Sequence, residues 1–352
     1  MEMSQTSLRS LILSSGLAAE LALLCGVLLI LFWTWISGRK ASGIGFWICL
    51  ISLVSAFLLA SSTPAEGQFL SVAFDGLSGW QKKFFTLFTS VALFSYLEWR
   101  NGRPVPLRTE FMVLLLLSQL SLMVLVQARS FLLMFLAAEG FSLCAYGLAR
   151  PVHPGKEAAS TLIRYFLSGS LASGIGLFGL SWLLGFQGTL LESPDLTASG
   201  ISFFPIAGAV FFSSFLLFKL GSFPFHFWVP GVFGEAPTPV AGYLAAAPKA
   251  AAAFALLRLV EGVEANLSFP LLLLALAGTV LGNLGAFGSD RIRNILGYSA
   301  IGQAGLLLIP AIFSKQIAGG QNVLLVFAFG SPVTCRSWFR PLVFWCPFLS
   351  GG

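Results

Sequence analysis

Glu139, Lys219 and Lys249 lie within stretches that are otherwise apolar for about the length of a membrane span: residues 131–148, 201–223 and 239–260. A charge in hydrocarbon costs from ~3 to more than ~10 kcal/mol, so such groups normally face a hydrated or paired interior. Three of them, of both signs, predict a path along which charge moves. An isolated carboxylate at Glu139 would take up a proton, whereas a lysine partner would hold it ionised. Lys219 is the natural partner, ahead of Arg164, and this leaves Lys249 as the free carrier.

The neighbours of the two lysines differ. Lys249 lies about ten residues, or ~15 Å, from either end of its apolar stretch, beyond comfortable reach of the surface. Pro248 before it cannot donate to the Leu244 carbonyl, which leaves an acceptor for water or for the ammonium. Ala245, Ala246, Ala247, Ala250, Ala251 and Ala252 keep the surroundings small. Lys219 is followed by Gly221, Pro224, His226, Trp228 and Pro230, a composition that breaks a helix. Irregular backbone at membrane depth is tolerated only where it is buried in protein or lines water. A lysine at such a break is either a proton-exchanging amine or a side chain that snorkels from a helix end. His226 suits a proton relay or a hydrogen-bonded structural role equally. Glu20, within the first apolar run, is expected to be a packing or interface residue, and Arg258 and Glu261 to lie at a surface.

Composition sets the class. Of 352 residues, 57% are hydrophobic and 10% charged, with a mean hydropathy of +0.88, whereas soluble domains carry about 25% charged residues. An all-α polytopic membrane protein follows, with no polar stretch long enough for a soluble domain. The formal charge of +6 is spread over short loops, which fits the lipid bilayer rather than nucleic acid. The five cysteines form no CxxC or Cys/His cluster, there are two histidines, and neither GxGxxG nor a P-loop occurs. No metal, haem, iron–sulfur or nucleotide site is expected on this chain. The run from Leu11 to Ile36 is too long for a signal-peptide core and is expected to be the first span, with no removable targeting segment.

Apolar runs predict about ten spans (10–11), near 11–36, 43–60, 84–97, 110–126, 131–149, 158–185, 201–223, 239–260, 269–287 and 294–312. The third is short and could begin earlier, through Phe74. Lys and Arg concentrate in the loops after odd-numbered spans (Arg39, Lys40, Arg100, Arg103, Arg108, Arg150, Lys156, Arg291, Arg293), which puts the N-terminus outside. Arg129, Lys315, Lys82 and Lys83 break that pattern. The small residues of 169–176 predict close helix packing. The expected organisation is N-terminal helices over 1–108, a transport core over 109–312, and an irregular tail over 313–352, where Pro332, Arg336, Arg340, Pro341 and Pro347 crowd together.

At the charged residues the chain resembles a known family. Phe218 to Pro230 follows K-x-G-x-x-P-F-H-x-W-x-P, and Glu235 to Val240 with Ala247-Pro248-Lys249-Ala250 follows A-P-T-P-V…A-P-K-A. Gly282-Asn283-Leu284, Leu296 to Ile301 and Leu136 to Tyr146 fit further segments. These are motifs of the antiporter-like subunits of respiratory complex I, nearest to the N-type subunit 2, and they cover roughly residues 110–312. The resemblance implies a proton-translocating subunit of NADH:ubiquinone oxidoreductase. It implies Glu139 and Lys219 as a coupled pair, Lys249 as the central carrier, and one antiporter-type repeat broken near Lys219–Pro224 with an incomplete second. Redox chemistry, with flavin, iron–sulfur clusters and quinone, would reside on partner subunits of the membrane arm and beyond.

The chain also departs from the family. Gly231 stands where an acid is usual after W-x-P, Gly234-Glu235 replaces E-G, and Gln303 takes a histidine's place in S-I-x-H-A-G. Relatives continue for several more helices, so a separate chain supplying them, or a reduced subunit, is expected. The mitochondrial inner membrane is the expected location, with a bacterial plasma membrane as the alternative. Competing functions are a subunit of a multi-subunit cation/proton antiporter and a structural spacer that has lost transport.

Overall fold

The computed structural model describes residues 16–37, 42–60, 66–69, 72–101, 103, 108–151, 155–187, 203–262 and 268–312. Among them are eleven helices: α1 (Ala18–Ser37), α2 (Ser42–Leu59), α3 (Gly76–Arg100), α4 (Thr109–Gln127), α5 (Phe131–Leu148), α6 (Lys156–Gln187), α7 (Phe203–Leu220), α8 (Val229–Glu235), α9 (Thr238–Gly262), α10 (Ser268–Phe287) and α11 (Ile292–Ile312). A short antiparallel hairpin, β1 (Glu66–Phe69) and β2 (Val72–Asp75), precedes α3. Eight helices are long and apolar enough to cross a membrane, by length and composition. The apolar part of α2, Gly43–Leu59, is slightly shorter, and α3 is long but carries Gln81, Lys82 and Lys83. The chain is a polytopic all-α membrane protein. Large apolar side chains such as Leu28, Phe32, Trp35, Leu171 and Leu284 are exposed on the helices, as a lipid solvent allows.

The chain divides into two compact units. One holds α1–α5 and the start of α9 (Ala236–Tyr243); the other holds α6, α7, α8, α9 from Leu244, α10 and α11. In the first, a Cβ on Gly26 of α1 would collide with the Ser52 side chain of α2, so glycine sets how closely the two helices approach. Ser130 caps α5 by accepting from the Leu133 N–H at 3.1 Å. In the second unit, α6 and α7 meet where Gly179 faces the Gly208 carbonyl, and α10 meets α11 where Gly282 faces the Gly302 backbone. Such small-residue contacts let helix backbones pack where no hydrophobic force drives association.

The third span starts at Gly76, as the earlier start through Phe74 allowed, so Lys82, which the shorter bounds put before that span, lies inside the helix and is wholly buried. Glu20, expected at a packing or interface position, is buried against that lysine. The expected tail, 313–352, lies outside the described residues, as do Arg39, Lys40 and Lys315 of the charge-asymmetry argument.

Candidate functional site

The break after α7 is built by two backbone bonds and one side chain. The Ser222 N–H donates to Leu217 O at 3.1 Å and the Gly221 N–H to Phe218 O at 3.0 Å, the paired bonds of a Schellman cap. Gly221 occupies the left-handed region with φ 68°, where a Cβ would be strained. Trp228 then folds back: its indole N–H donates to Phe218 O at 3.2 Å, and its ring stacks on Tyr165 of α6 at 4.6 Å. The turn contains a cis Phe223–Pro224 bond and ends when the Val229 N–H donates to His226 O at 3.0 Å, opening α8.

Lys219 is the penultimate residue of α7. It is half-buried, and its ammonium lies 4.7 Å from the Phe215 ring centroid, within cation–π range. The expected break near Lys219–Pro224 is therefore present, with the helix ending at Leu220. His226 is half-buried in the same turn, its ring centroid 5.8 Å from that of Phe223.

Lys249 lies near the middle of α9 with 1% of its surface exposed. Its Nζ donates to Ala300 O of α11 at 2.6 Å. The acceptor thus comes from another helix, not from the Leu244 carbonyl that Pro248 was expected to free. Ala245, Ala247, Ala251 and Ala252 around it are buried. A Cβ on Gly221 would lie 3.8 Å from Lys249 Nζ, so the cap of α7 and the buried ammonium are neighbours. Ser222, next to that glycine, is fully buried, and among the described residues its Oγ has no hydrogen-bond partner. Gln303, in the place of the family's histidine, is buried on α11 one turn beyond Ala300.

Glu139 is half-buried near the middle of α5, in the first unit, and Gly140 beside it packs against Ser121 of α4. The second unit thus gathers Lys219, His226 and Lys249 around one helix break, while Glu139 stands in the other unit. Among the described residues no group of three His, Cys, Asp or Glu is placed to hold a metal ion.

Sequence reasoning missed a second charged cluster. Lys82 on α3 meets Glu20 Oε1 at 2.8 Å, and both are buried. The only local signal was a lysine at the mouth of an apolar run and a glutamate within another, 62 residues apart.

The family described as NADH:quinone oxidoreductase/Mrp antiporter, transmembrane, matches residues 128–332, more than half of the chain. The chain belongs to that family. Glu139, Lys219, His226 and Lys249 all fall within the matched region; Glu20 and Lys82 lie before it. The chain is 30% identical over 320 residues to NADH-quinone oxidoreductase subunit N of Granulibacter bethesdensis, covering 86% of this chain and 65% of the relative. To subunit N of Halorhodospira halophila it is 35% identical over 301 residues, covering 82% and 61%. A chain of the solved respiratory complex I from Thermus thermophilus with bound aureothin superposes with a TM-score of 0.72 at 28% identity, covering 88% of this chain and 67% of that one. The chain therefore spans about 65% of the length of the first of these family members. These relatives are bacterial, so they lend no support to the expected mitochondrial setting.

Proposed function

We propose that this chain is a proton-translocating membrane-arm subunit of an NADH:quinone oxidoreductase in a bacterial plasma membrane. The observation that carries the reading is Lys249: a buried ammonium in mid-span, held by the Ala300 carbonyl beside the broken end of α7. A lysine so placed serves as a proton carrier, because lysine, unlike arginine, changes its protonation state readily when its surroundings change.

In this reading Lys249 takes a proton on its amine and releases it when the local field changes. Glu139 and Lys219, the acid and the amine that the family motifs assign to coupling, would set that field through their protonation states. His226, in the turn beside Lys219, offers an imidazole for relay. Electron transfer, with flavin, iron–sulfur clusters and quinone, belongs to partner subunits, and this chain adds transport rather than redox chemistry. The stretch of the relatives that this chain does not match would come from further polypeptide.

The family's description also includes Mrp antiporters, so a cation/proton antiporter subunit is the second reading. Gentle solubilisation followed by mass spectrometry of the isolated particle separates the two. Flavin and iron–sulfur subunits in the particle support the oxidoreductase; only cation-antiporter partners move the function to the second reading. Within the oxidoreductase, Lys249→Ala in the assembled complex should abolish NADH-driven proton uptake into inverted vesicles. Full uptake with normal assembly would instead favour a spacer.

A further inference from the structure

Glu20, Lys82 and Gln127 close a charged site in the first unit, built from residues to which no transport role was assigned above. Lys82 Nζ donates to Gly16 O at 2.7 Å and to Glu20 Oε2 at 3.1 Å, and it lies 2.8 Å from Oε1. Gln127 Nε2 donates to Glu20 Oε1 at 2.9 Å. Gly16 has φ 66°, a conformation open to glycine at little cost. Three helices and the turn before α1 thus converge on one ion pair. Lys82 and Gln127 have no exposed surface and Glu20 has 6%.

A structural role does not account for this cluster well. Replacing a buried ion pair by apolar side chains of similar size is often neutral or stabilising, and lipid raises the cost of retaining charge. The same face of α3 also stays polar beyond the pair. Thr86 and Thr89 follow Lys82 at helical spacing, over ~10 Å, and both are buried. Gln119 of α4 bonds Thr86 Oγ1 at 3.0 Å and also bonds Thr89. Either orientation of its amide joins both hydroxyls. Nearby, the Tyr243 hydroxyl lies 2.9 Å from Ser118 Oγ of α4.

We propose that Glu20 and Lys82 form a second proton-exchanging site of this chain, continued along α3 by the Thr86–Gln119–Thr89 run. The proposal rests on the transport reading above. One proton passes from Lys82 Nζ to Glu20 Oε1 and turns ammonium and carboxylate into amine and carboxylic acid. The pair's net charge is zero in both forms, and nothing else is consumed. Thr86 Oγ1 donates to the Lys82 carbonyl at 2.7 Å, so the hydroxyl run begins one helical turn from the pair.

The test is Glu20→Gln/Lys82→Met in the whole complex, which removes both charges and keeps volume and shape. Assembly is followed on native gels, and protons translocated per NADH oxidised are measured in inverted vesicles, with Lys249→Ala run in parallel. The proposal expects normal assembly with the proton-to-NADH ratio down about twofold or more. A wild-type ratio in the double variant, with pumping lost in Lys249→Ala, overturns this proposal alone. Wild-type ratios in both overturn the transport reading as well. If the double variant does not accumulate, Lys82→Arg decides, because arginine keeps the ion pair yet does not release its proton. A lowered ratio supports proton exchange at Lys82, and an unchanged ratio shows a structural pair.

Discussion

Lys249 of α9 reaches across to α11 and donates to the carbonyl of Ala300 at 2.6 Å. A neutral carbonyl fixes the ammonium's position without cancelling its charge, so the hydrogen bond orients the group and leaves its protonation responsive to nearby charges. Lys249→Met tests whether the charge serves stability or transport. The substitution keeps the chain's volume and removes the cost of a buried ammonium, so thermal unfolding of the complex is expected to hold or rise, by about 1 kcal/mol. Proton uptake per NADH is expected to fall at least about tenfold. A variant that melts earlier and still pumps would reverse the assignment.

Gly221→Ala should disturb the same site from the other side. At φ 68° the added Cβ is strained and meets Val229 Cγ2 at 2.8 Å. The left-handed conformation alone costs roughly 1–2 kcal/mol for an alanine. The readable outcome is a lower melting temperature together with reduced pumping, since the new methyl also sits 3.8 Å from Lys249 Nζ. Normal pumping at a lowered melting temperature would show that the cap of α7 serves only the fold.

Much of this fold was legible because lipid dictates it: a span needs about 20 apolar residues, and such runs are hard to miss. The expected 131–149 is Phe131–Leu148 in the structure, and 269–287 is Ser268–Phe287. The break after Lys219 was legible for a local reason too, since glycine and prolines crowd one short stretch. What was not legible is non-local. The third span could begin earlier than residue 84, but what lets α3 carry Lys82 inside it is the countercharge of Glu20, 62 residues away. No window along the sequence holds both residues. α8, with seven residues, is too short to show a period and hides within the proline-rich block. Likewise the alanines around Lys249 predicted open space, but only the packing of α11 against it names Ala300 as the acceptor.

Trp228→Phe separates the two tasks of that indole. Phenylalanine keeps an aromatic ring against Tyr165 but loses the bond to Phe218 O. The expected cost is about 1 kcal/mol, with faster amide exchange at Gly221 and Ser222 as the end of α7 loosens. Unchanged exchange would mean that the backbone cap suffices without the tryptophan.

The contact between α10 and α11 links packing to Lys249. A Cβ on Gly282 would run into the backbone of Gly302, two residues from the carbonyl that holds Lys249. Gly282→Ala must therefore push the helices apart or shift one along the other, at a cost of about 1–3 kcal/mol. Because the displaced backbone carries Ala300, proton uptake should fall along with stability. Gly174→Ala is the control: its Cβ meets no atom of the described residues within 4 Å, and alanine is favoured over glycine in a helix by about 1 kcal/mol. Measured side by side, the control should match wild type in pumping and equal or exceed it in melting temperature. If both variants pump alike, the position of the Ala300 carbonyl does not limit proton transfer at Lys249, and the hydrogen bond between them is a packing feature rather than part of the carrier.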